Sequence, residues 1–141
     1  MPNGFTSEAT AREAIKNFNA IKGVRFSYTR MYNELSAMMR IEDETERENA
    51  FTAFHISYLD EIAERALDKR ALIESNPVIA EKNSTNAAKS VNIAYASTNL
   101  KSLTSVIMSI IDPEAEKKHA MTPAQLDAIK NYELGIIEKY S

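Results

Sequence analysis

Apolar side chains recur at alternating spacings of three and four through residues 11–39. Ala11, Ala14, Phe18, Ile21, Tyr28, Tyr32, Leu35 and Met39 share one seam, with Arg25 as its charged member, and Ile15, Val24, Met31 and Met38 widen it. Such a heptad keeps one helix face toward a partner. Gly23 costs a helix about 1 kcal/mol against alanine, but the register passes through it unchanged. The pattern therefore predicts a single helix over 7–40, capped by Thr6 or Ser7 and about 50 Å long at 1.5 Å per residue.

A second stripe follows the acidic stretch Glu42-Asp43-Glu44-Thr45-Glu46, which suits the positive end of a helix. Phe51, Phe54, His55, Tyr58, Leu59, Ile62, Ala66 and Ile73 fall on one face, and Asn76-Pro77 closes the helix, so it is expected over 44–75. A third helix, 84–111, is capped within Asn83-Ser84-Thr85. Its later half carries Ile93, Ala96, Leu100, Leu103, Ile107 and Ile110 on one face. Its earlier apolar residues, Ala87, Ala88, Val91 and Tyr95, lie roughly 100–140° round the helix at 100° per residue. The stripe thus changes face near Asn92, within a stretch written mostly in Ser, Thr, Asn and Ala.

Asp112-Pro113-Glu114 predicts a short helix. Thr122-Pro123-Ala124-Gln125 is a capping box with proline at the first helical position, opening a last helix over 123–139 on which Leu126, Ile129, Tyr132 or Glu133, Ile136 and Tyr140 share a face and which Gly135 is expected to fray. The fold class is all-α, a single domain over 1–141. An antiparallel bundle of three long helices and a shorter C-terminal one is the expected architecture. Three glycines and four prolines are too few turn residues for a β protein of this length.

Composition narrows the chemistry. With no cysteine there are no disulfides, thiolate metal sites or thiol nucleophiles. The net charge of −3 disfavours a nucleic-acid backbone as partner, and the cations of the first helix scatter round it. The most apolar stretch, 106–111, is too short to span a bilayer, and no secretory signal is visible, so a cytoplasmic location is expected without a membrane partner. Glu116-x-x-His119 has the spacing used in di-iron bundles but occurs once, so neither a metal nor another cofactor is expected.

Three groups of residues remain as candidates. Ala87, Val91 and Tyr95, on the rotated part of the stripe, are the expected protein-contact face. Asp60, Glu64 and Asp68 form an acidic stripe that either docks a basic partner or is a solvated helix side. Arg25, Tyr28, Tyr32 and His55 are the candidate lining of an interior pocket for a small molecule or anion, although a buried hydrogen-bonded histidine also accounts for His55. No catalytic constellation is present: serines and threonines lack a histidine–aspartate pair in sequence. The leading expectation is a non-enzymatic protein-binding module that assembles with itself or acts as an adaptor or inhibitor of another protein. The alternative is a ligand-binding bundle acting as a sensor or regulator.

Overall fold

The seam that runs through Gly23 belongs to two helices. The computed structural model describes residues 3–66 and 86–139, with side chains described over 8–65 and 93–139. Helix α1 spans Asn3–Asn19 and α2 spans Tyr28–Met39, in place of the single helix expected over 7–40. Gly23 adopts φ +90°, the left-handed region that side chains disfavour. A Cβ built there would lie 2.9 Å from Cδ of Arg65.

Asn19, the last residue of α1, holds the chain beyond the turn. Its Oδ1 accepts from the Phe26 N–H at 2.7 Å, and its Nδ2 donates to the Phe26 carbonyl at 2.9 Å. Both backbone groups of a buried residue are thereby satisfied outside any helix. Burial alternates through this extended stretch as along a strand, with Val24 and Phe26 buried and Arg25 and Ser27 exposed. Phe26, only 5% exposed, sits 5.3 Å from the Phe18 ring and 4.9 Å edge-on from Tyr58, which in turn lies 4.6 Å from Phe54. A heptad places Arg25 inside and passes over Phe26, and the extended backbone reverses both.

The later elements follow their local signals. Ser27 Oγ accepts from the Arg30 N–H at 3.2 Å and opens α2. Asp43 Oδ2 accepts from the Glu46 N–H at 2.8 Å and opens α3, Glu44–Ala66. The expected continuation of that helix to 75, with Asp68, lies outside the described residues. Helix α4, Asn86–Ile111, has 26 residues. A short α5, Ala115–His119, follows Asp112, whose Oδ1 accepts from the Glu114 N–H at 2.9 Å. In α6, Pro123–Lys139, the capping box forms in both directions: Gln125 N–H donates to Thr122 Oγ1 at 3.2 Å, and Thr122 N–H donates to Gln125 Oε1 at 2.9 Å. Gly135 does not fray this helix, which continues through it to Lys139.

Helix α4 is the spine of an all-α bundle and packs against α1, α2, α3, α5 and α6. Met31, Leu35, Leu59, Ile62, Ile93, Leu100, Leu103, Ile107 and Ile129 are fully buried between these helices, and their burial is the main stabilising contribution. Polar ties lock neighbours together at the edges of this core. Tyr58 donates to Glu34 Oε1 at 2.6 Å, joining α3 to α2, and burial followed by the Glu34 bond raises the Tyr58 pKa above its ordinary value. Tyr132 of α6 donates to Asp60 of α3. No strand occurs among the described residues, and none of their helices is long and apolar enough to cross a membrane.

Candidate functional site

Where α3, α4, α5 and the start of α6 meet, they leave a cavity of about 260 Å³. Phe51 of α3, Met108 of α4, Ala115 of α5, Met121 and Leu126 give it apolar walls. His55 stands one turn beyond Phe51 on α3 and reaches the same cavity. This spacing, i and i+4, is the stripe that the sequence shows, so the helix carries both side chains to one place.

His55 is 1% exposed. Its Nε2 lies 2.9 Å from Ser97 Oγ on α4, while its Nδ1 has no hydrogen-bond partner among the described protein groups. A buried nitrogen without a partner is costly in a folded protein. Burial first, and then the charge of Lys101, lower its pKa to about 4, so the imidazole is neutral near pH 7. Ser97 is itself 1% exposed, which gives one physical reason for the small polar residues of α4: an apolar side chain there would remove the hydroxyl that His55 bonds.

His119, at the end of α5, closes another side with its ring 5.4 Å from that of Phe51. Its pKa is lowered by burial first, then by Arg47 and Lys118, with Asp112 acting in the opposite sense. Arg47 is held in place by donating from Nη1 to the Ile41 carbonyl at 2.8 Å, and Lys118 contacts Asp112 at 2.9 Å. Gln125 also borders the cavity, but its hydrogen-bonding capacity is spent: besides its capping role, Nε2 donates to the Glu48 carbonyl at 3.0 Å and reaches Thr52 Oγ1 at 3.3 Å. Thr104 is likewise occupied, donating to the Leu100 carbonyl at 2.8 Å. Among the buried polar side-chain atoms of the residues that border the cavity, the Nδ1 of His55 is the one without a hydrogen-bond partner.

The four residues expected to share an interior pocket are dispersed. Arg25 is exposed in the extended segment, where its Nη1 contacts the Val24 carbonyl at 3.3 Å. The Tyr28 ring lies tilted against that of Tyr32, 6.0 Å between centroids, and receives the Arg12 guanidinium 4.5 Å above it, which braces α1 against α2. Tyr32 borders a different and shallower cleft with Met39, Arg40, Ile111 and Asp112. Of the four, His55 reaches the cavity described above. Its companions Met108 and Met121 do not stand out in the sequence. The one signal there is Lys101, a charge at the margin of the apolar face of α4 and four residues from Ser97.

Of the acidic stripe, Asp60 is engaged by Tyr132, Glu64 is exposed, and Asp68 lies outside the described residues. Of the expected contact face, Tyr95 is 70% exposed. Ala87 and Val91 lie in α4, and their side chains are outside the described ones. Among the described residues no three acidic or histidine side chains gather as metal ligands would. Comparison with protein-family models, with characterised proteins and with solved structures finds no match to this chain.

Proposed function

We propose that this chain works by binding a small, largely apolar molecule in the cavity between α3, α4, α5 and α6. The observation that carries this reading is the unpartnered Nδ1 of a 1%-exposed histidine in the wall of an otherwise apolar cavity of about 260 Å³. Binding sites for small molecules are concave and mostly apolar, with a few convergent polar groups that fix orientation. His55 supplies one such group, and the volume suits a compact metabolite better than an extended lipid.

The reading is tested with methionine methyl groups as reporters. Met108 and Met121 line the cavity, whereas Met31 and Met38 lie elsewhere in the bundle. In a screen of compact metabolites against protein labelled at methionine methyls, binders are expected to move Met108 and Met121 resonances and leave Met31 and Met38 in place. Ala115→Leu, which adds three carbons to a cavity-lining position, should weaken such binders by about tenfold or more. A screen that never moves the two cavity methionines removes the proposal.

A second reading rests on a separate observation. Tyr95 is the most exposed of the large hydrophobic side chains among the described residues, and it sits on a helix of small polar residues. An exposed aromatic of this kind is enriched at protein contacts, in keeping with a chain that assembles with itself through this face. Light scattering on a sizing column should then give a mass above the 15.8 kDa of one chain, and Tyr95→Ser should return it to the single-chain mass. A monomer at every concentration excludes self-assembly.

A further inference from the structure

The cavity's charges are arranged unevenly. Lys101 lines it from α4 and is half-buried. It follows Ser97 by four residues, so the two stand on the same side of the helix, and Ser97 holds His55. The ion pairs among the described residues engage Arg12, Arg30, Lys117 and Lys118 and leave Lys101 out. Glu116 also borders the cavity, but from the exposed side of α5. Among the described residues, Lys101 is the charge that bears on His55, and its effect is to help keep the imidazole neutral. The Ser97 contact at 2.9 Å serves either imidazole tautomer; in the one where the hydroxyl donates to Nε2, the ring proton is on Nδ1, and that is the form an acceptor in the cavity would select.

Among the described residues, the site therefore combines an ammonium without a counter-ion, a buried nitrogen without a partner, and an apolar wall of Phe51, Met108 and Met121. We infer that the ligand is a small carboxylic acid with an apolar body. Its carboxylate sits between Lys101 and His55, and its body lies against Phe51, Met108 and Met121. This rests on the binding reading above and adds the chemical class. A carboxylate supplies what both polar groups require, a negative charge for Lys101 and an acceptor for the Nδ1 proton. An amine would meet Lys101 as a like charge, and an alcohol would leave the ammonium uncompensated.

Two isosteric series separate the class from the site. Hexanoate and benzoate are titrated into methionine-methyl-labelled protein beside 1-hexanol and benzyl alcohol, and beside hexylamine and benzylamine. The acids are expected to shift Met108 and Met121 saturably, with Met31 and Met38 unmoved, and to bind about tenfold or more tightly than the matching alcohols. In Lys101→Gln, a half-exposed change whose fold is checked by the unmoved methionines, that margin should vanish while alcohol affinity stays the same. Alcohols or amines that match or exceed the acids at the cavity methionines would overturn the acid and leave the binding site standing. A margin that persists in Lys101→Gln would overturn the acid in the same way. If no member of either series moves Met108 or Met121, the acid proposal falls, and the metabolite screen then decides the site independently.

Discussion

Asn19→Ala is expected to destabilise the fold by about 2–4 kcal/mol, from two part-buried backbone bonds lost at about 1–2 kcal/mol each, the lower part of the range for an unsatisfied buried group. The asparagine amide serves Phe26 on both sides, at 2.7 Å and 2.9 Å, and alanine offers neither bond. Water cannot readily replace it, because Phe26 is packed between Phe18 and Tyr58. Helix propensity works in the opposite direction, since alanine is the better helix former, but by only some tenths of a kcal/mol. The backbone groups win. Asn17→Ala, at an exposed position two residues earlier in α1, is the control and should change stability by less than about 0.5 kcal/mol. Urea unfolding followed by circular dichroism decides the matter. If Asn19→Ala is as mild as the control, the side chain is not what fixes the segment 24–27.

The second large effect is a dependence on acidity. His55 has a folded-state pKa of about 4 against 6.5 for the free side chain. Between those values the unfolded chain takes up a proton that the folded chain refuses, so protons favour unfolding. The stability held above pH 6.5 should fall by about 3 kcal/mol as pH drops to 4, and this contribution should level off below that. His119 contributes in the same direction, since its pKa is also lowered. The difference between wild type and His55→Leu isolates the buried ring. In the variant, Ser97 can turn to a carbonyl of its own helix, as serines in helices do. The wild-type curve should be steeper between pH 6.5 and 4, and parallel curves would show that His55 carries no such penalty.

The elements that can be read from sequence are those with their own start signals. The capping box at Thr122 and Gln125 and the acidic turn before α3 are local chemistry, and each forms as written; the short helix expected after Asp112 also forms, but it starts at Ala115, and Asp112 and Pro113 make a turn before it in place of its cap and first turn. The break between α1 and α2 is hidden because Val24 and Tyr28 continue a heptad by coincidence. Val24 is buried by an extended backbone and Tyr28 is half-buried by a helical one, and the two periods agree at both positions. What decides between them is Asn19, whose role depends on a residue seven positions away, and Phe26, whose burial depends on Tyr58.

The cavity is half legible for a related reason. His55 and Phe51 share one helix, and periodicity places them together. Met108, Ala115 and Met121 come from elements whose relative placement is set by packing, which a single helical pattern does not contain. Arg25, Tyr28 and Tyr32 group with His55 only if the first helix is straight. Once that helix breaks, the grouping dissolves.

Gln125 ties two events into one. The same carboxamide that completes the first turn of α6 also grips the Glu48 carbonyl of α3, so the helix start cannot unravel without releasing its neighbour, and the neighbour cannot leave without uncapping the helix. Openings on this side of the molecule are therefore expected to be coupled, and hydrogen exchange should find the amide protons near Thr122 and near Thr52 in one cooperative unit.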